Sequence, residues 1–180
     1  MTYSINEHKH RFASWVASRG ASTSPKCRFE VKLGKLLLEE SGLKQVASSI
    51  NNLPSPTNFD IQHKVWREKI IELANIHKKD FTHGIAAKLI NIYLKAIFVC
   101  GDDINDERIK SIHPPIDSVL LKALYIDNIG NKKMVWKEAQ SNKWSKFTSS
   151  QYEDVILAIR ETMNAQQGLW EIEQFWQGYQ

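Results

Sequence analysis

Most of what marks a secreted, disulfide-bonded, metal-binding or membrane protein is scarce in this sequence. Its two cysteines, Cys27 and Cys100, stand 73 positions apart and form no CxxC pair. They offer no disulfide framework, iron–sulfur cluster or zinc site, and reduced structural thiols are expected. Six histidines are scattered without an HxxxH spacing, so neither a metal nor a cofactor is expected. No apolar run approaches the roughly 18 residues that cross a bilayer. The opening "MTYSINEHKHRF" lacks the apolar core of a signal peptide, so a cytoplasmic protein with no membrane partner is expected. Five prolines and eight glycines in 180 residues leave long segments unbroken. Clean β alternation, internal repeats and low-complexity stretches are nearly or wholly absent.

With 42% hydrophobic and 24% charged residues, the composition is that of a globular protein. The length suits one domain spanning 1–180. Net charge is +4 but uneven: residues 1–99 hold 15 Lys/Arg against 8 Asp/Glu, and residues 100–180 hold 9 against 12. A basic first half suits a polyanionic partner such as nucleic acid.

The pattern predicts helices almost throughout. "HKHRFASWVASRG" places Phe12, Trp15 and Val16 at helical spacing, with Gly20 as its stop. "CRFEVKLGKLLLEESG" admits a strand at its start, but Leu33, Leu36, Leu37 and Gly42 favour a helix from about Phe29. "NNLPSP" is the clearest internal loop. "NFDIQHKVWREKIIELANIHKK" aligns Ile61, Val65, Ile70, Leu73 and Ile76 on one face of a long helix. "GDDINDERIKSIHPP" is a polar connection with room for a helical turn, and Pro115 fits the first turn of the helix in "PPIDSVLLKALYID". A Ser N-cap opens "SSQYEDVILAIRETM", and "GLWEIEQFWQGYQ" reads as a short last helix. The expected architecture is an all-α domain of about eight helices.

One stretch departs from this plain pattern. "FTHGIAAKLINIYLK" is apolar around most of its circumference, and its polar residues form a narrow stripe of Lys88, Asn91 and Lys95. Such a stripe meets either solvent or a cleft. Lys88 lies near the helix start, where the positive end of the dipole disfavours a further positive charge. A lysine so placed loses its proton more easily, as a nucleophilic amine must. Further on, "HPPIDSVLLKAL" sets Asp117 at a helix start, a favourable place for a carboxylate on dipole grounds alone.

Taken together, a glycine-containing turn, a lysine in the next helix and a Pro-Ile-Asp opening resemble the helix-hairpin-helix DNA glycosylases, in particular the 8-oxoguanine glycosylase branch in its small, single-domain, diverged bacterial form. The likeness runs from about His83 to Leu124, and the helical architecture extends it over most of the chain. That family's hairpin reads like G-x-G-x-K-x-A, and of its two glycines this chain keeps only Gly84. The lysine–aspartate connection is also longer than usual and acidic.

The resemblance implies a DNA glycosylase and AP lyase acting on an oxidised or modified purine. Lys88 would be the nucleophile and Asp117 its electrostatic partner. Trp15, Trp170, Phe175, Trp176 and Tyr179 would supply aromatic walls for an extruded base, although aromatics at helical spacing also serve simply as core. His83 and Gly84 would bring backbone N–H groups to a phosphate, and His83 and His113 would face the site. Arg11, Arg19, Lys78 and Lys79 would contact DNA phosphates. The implied partner is DNA carrying a modified base, in repair or in anti-phage defence beside partner proteins of a defence operon. The alternative is a non-catalytic module of the same fold that binds a modified base, a nucleotide or a partner protein.

Overall fold

The computed structural model describes residues 3–22, 27–101 and 104–178. Among them the chain is all helical, with no strand. The α-helices are α1 (Ile5–Ala21), α2 (Val31–Glu40), α3 (Leu43–Val46), α4 (Phe59–Ile76), α5 (His83–Leu94), α6 (Glu107–Lys110), α7 (Ser118–Ile126), α8 (Lys133–Asn142) and α9 (Ser149–Thr162). None is long and apolar enough to cross a membrane.

The central element is α5, in which ten of twelve residues are buried. Thr82 starts it by accepting from the Ile85 N–H, an N-cap contact worth about 1 kcal/mol. One side of α5 packs on α1 and α4, where Ile85, Leu89, Ile90 and Tyr93 join Leu37, Phe59 and Ile70 in the first core cluster. On the other side Ala87 meets a second cluster built on Leu120, Trp136, Ile156 and Ile172 from α7, α8, α9 and the 3-10 segment Leu169–Phe175. At its far end α5 widens into a π-helical turn, Lys95–Val99. Such turns are uncommon and recur at functional sites.

Several expectations need correction. On α4, Ile61, Val65 and Ile76 are exposed, while His63, Trp66 and Arg67 are buried with Ile70 and Leu73. The buried face therefore includes a polar network. His63 Nε2 lies 2.8 Å from Asn91 Oδ1, and Asn91 Nδ2 donates to the Tyr152 hydroxyl and to the Pro114 carbonyl. Phe12 and Trp15 likewise face outward on α1, which runs through Gly20 to Ala21. Thr148, not a serine, caps α9 in a reciprocal capping box with Gln151. The last segment is 3-10 rather than α. The expected helix at Pro115 begins only at Ser118, with Asp117 as its N-cap.

Candidate active site

The sequence pattern put Lys88 and Asp117 on successive structural elements, and the fold brings their charged ends to 3.4 Å. Lys88 sits in the second turn of α5 with its side chain only 8% exposed. Burial lowers its pKa, against the pull of the Asp117 carboxylate. Its ammonium also lies 4.3 Å from the centre of the Trp144 ring, a favourable cation–π placement.

Asp117 has two jobs that use different oxygens. Its Oδ1 accepts from the backbone N–H groups of Val119 and Leu120, at 3.0 and 2.9 Å, and so starts α7. Its Oδ2 accepts from Lys88 and, at 3.2 Å, from the Trp176 indole. The segment that delivers it, 113–117, is fixed upstream as well. His113 bonds through Nδ1 to the Tyr152 hydroxyl and through Nε2 to Asp60, while Asn91 holds the Pro114 carbonyl. The polar stripe of α5 is thus explained residue by residue: Lys88 takes Asp117, Asn91 ties down the segment carrying that carboxylate, and Lys95 pairs with Glu173.

The pair borders a cavity of about 400 Å³, inside the size range of small-ligand pockets. Phe12 and Val16 of α1, Ile92 and Ala96, and Pro115 form apolar walls, and Lys95, Glu173 and Trp176 complete them. The site therefore lies where α1, α5, the 113–117 segment and the end of the second cluster meet. Chemically it offers a nearly dry amine beside a carboxylate, facing an apolar slot. That combination suits nucleophilic attack on an electrophilic carbon with stabilisation of developing positive charge.

Not every expected site residue is there. Of the aromatics, Trp176 lines the cavity. Trp15 is exposed on α1, Phe175 packs with the second cluster, and Trp170 stacks over Gly168, so none of these three lines it. Tyr179 lies outside the described residues. His113 borders a separate cleft with Asp60, Arg67 and Arg160, and burial lowers its pKa despite the Asp60 hydrogen bond. His83 faces Arg67, with 3.5 Å between Nδ1 and Nη1, and burial lowers its pKa too. Gly84 is required by packing: a Cβ there would overlap the Trp144 carbonyl oxygen and come within 2.9 Å of its carbon.

The cationic candidates are dispersed. Lys78 is exposed at positive φ in the turn between α4 and α5, and Lys79 donates to the Arg28 carbonyl. Arg11 is paired with Glu7 on α1, and Arg19 is exposed on the last turn of the same helix.

Phe12, Val16, Lys95 and Glu173 were not singled out as site residues from the sequence. The signal for Lys95 was present in the stripe it shares with Lys88. Glu173 is one of two acids among the aromatics of "LWEIEQFW", where no local pattern marks it. Compared with models of known protein families, with curated proteins and with solved structures, the chain matches none.

Proposed function

We propose that this protein is a helix-hairpin-helix-type DNA glycosylase and AP lyase acting on an oxidised or modified purine such as 8-oxoguanine. The observation that carries the reading is the Lys88 amine, almost sealed from water, 3.4 Å from a carboxylate at the wall of a base-sized apolar cavity. Burial favours the neutral, nucleophilic form of Lys88.

In this reading the target nucleotide is extruded and its base enters the cavity. As the C1′–N bond breaks, its electron pair leaves with the base, and the Asp117 carboxylate stabilises the positive charge on the sugar. The neutral Lys88 amine attacks C1′ and passes a proton to the departing base anion. Ring opening then gives a Schiff base, and removal of a C2′ proton expels the 3′ phosphate oxygen and cuts the strand.

Borohydride tests this directly, because it reduces the Schiff base to a stable amine. Wild-type protein should be trapped on a duplex containing 8-oxoguanine, and Lys88→Gln should give no adduct. No wild-type adduct, or an adduct surviving Lys88→Gln, overturns the assignment.

One observation favours the alternative of a non-catalytic binding module. The segment 144–147 covers the start of α5: Trp144 abuts Gly84, and the Thr82 hydroxyl donates to the Ser145 carbonyl at 3.1 Å. A phosphate on the first N–H groups of α5 would have to share this space. Under that reading Lys88→Ala leaves ligand affinity nearly intact.

A further inference from the structure

The cavity holds one group that the lysine–aspartate chemistry does not use. Glu173 enters from the 3-10 segment with its side chain 16% exposed, and its Oε2 is paired with the Lys95 ammonium. Its other oxygen, Oε1, is shut off from solvent and has no hydrogen-bond donor. Burial pushes the Glu173 carboxyl above the ordinary value, with Lys95 pulling the other way. Buried carboxylate oxygens are rarely left unmatched, and a lone one calls for an explanation.

The surroundings say what is missing. The polar groups nearest the slot are already committed: Lys88 and the Trp176 indole to Asp117, and Lys95 to the opposite oxygen of Glu173. The remaining walls, from Phe12 to Pro115, are largely apolar and supply no strong donor. Lys95 also opens the π-turn that widens α5 at this wall. Among the described residues the slot thus has largely apolar walls, and the carboxylate that borders it keeps one oxygen, Oε1, that no donor of the protein matches.

We propose that Glu173 selects the cavity's ligand by accepting a hydrogen bond through Oε1 from a ring N–H of a purine base; the choice of a purine rests on the function proposed above. This requires the carboxylate to turn Oε1 toward the slot, with the Lys95 ammonium following Oε2 on its four-carbon stem. A donor that reaches this oxygen meets little competition from water. A purine whose ring nitrogens are alkylated leaves the oxygen unmatched, and sites built to pair a donor reject analogues that lack it.

The test uses the full chain and two free purines, followed by titration calorimetry at pH 6.5. Xanthine carries ring N–H groups; caffeine has the same ring system with every ring N–H methylated. Wild type should bind xanthine at least about tenfold more tightly than caffeine. In Glu173→Met the preference should fall below about threefold, whereas a preference set only by methyl-group bulk would persist. Equal affinities in wild type, binding of neither purine, or an undiminished preference in Glu173→Met each overturn the assignment. The wild-type comparison holds even if the variant misfolds. A purine preference without borohydride trapping would overturn the lyase chemistry alone, and trapping without a Glu173-dependent preference would overturn this assignment alone.

Discussion

Lys88 and Asp117 should respond very differently to removal of the partner's charge. At 3.4 Å the pair's attraction is about 5 kcal/mol at an effective dielectric near 20. Much of that is offset by desolvation, since the two side chains are 8% and 18% exposed. Lys88→Met removes the buried amine and puts a similar apolar chain in its place. Asp117 then still receives Val119 N–H and Leu120 N–H on one oxygen and the Trp176 indole on the other. Stability should change by no more than about 1 kcal/mol.

Asp117→Asn is the harsher change, although asparagine caps a helix as well as aspartate does. Its amide nitrogen would face two donors, Lys88 and Trp176, and leave the ammonium buried without a counter-charge. A loss of about 3 kcal/mol at pH 7 is expected, or roughly 6–12 °C in Tm for a chain of this length.

The pH dependence supplies a second check. Lys88 already titrates below its ordinary value of 10.5 because of burial, and losing Asp117 lowers it further. The unfolded chain then holds a proton that the folded chain gives up. Stability rises with pH between the lowered folded value and 10.5, and the missing stability is fully present only above 10.5. Urea unfolding of the three proteins at pH 7 and 9.5 measures both effects. A deficit below about 0.5 kcal/mol in Asp117→Asn at pH 7, or one equally large at both pH values, would refute this account of the pair.

Two further outcomes concern the frame around the site. Gly84→Ala should destabilise by at least about 2 kcal/mol in urea unfolding, despite alanine's higher helix propensity, because its Cβ meets backbone rather than a yielding side chain. A neutral or stabilising result would mean that the Trp144 segment gives way freely. Acid should weaken the fold through His63 and His113, whose folded pKa values burial lowers below 6.5. Their contribution is present above 6.5 and is lost as pH falls toward the folded values, at up to about 1.4 kcal/mol per pH unit for each histidine. Unfolding free energies from pH 7 to 4.5 should therefore slope downward, and His63→Gln should flatten the slope; an unchanged slope would remove His63 from the cause.

How much of this could be read in the residues depended on whether packing followed hydrophobicity. The polar edge of α5 at Lys88 was legible because helix periodicity alone sets its stripe, whereas the pairing with Asp117, 29 positions away, came only from the family resemblance, since nothing local joins the two. The buried face of α4 was not, because His63 and Arg67 take core positions that periodicity assigns to Ile61 and Val65. Those polar residues are tolerated by partners far along the chain: Asn91 for His63, and Glu153 and the Tyr152 ring for Arg67. Helix α8 was not foreseen, since only Trp136 and Ala139 of its ten residues are buried. Trp15 lies elsewhere for a related reason: apart from His10, the buried stripe of α1 is Ala13, Ser14, Ala17, Ser18 and Ala21, residues too small to stand out. Their smallness lets α1 approach α5 closely and puts Phe12 and Val16, not Trp15, at the cavity.

The cavity walls come from opposite reaches of the sequence, residues 12–20 on one side and 173–176 on the other. During synthesis, Lys88 and Asp117 emerge from the ribosome after the 12–20 wall and well before Glu173 and Trp176. A nascent chain stopped ahead of Glu173 would already carry the amine and the carboxylate, yet would lack one wall of the slot beside them. The wall that encloses the Lys88 amine on that side is therefore in place only once the 173–176 segment has docked against α1 and α5.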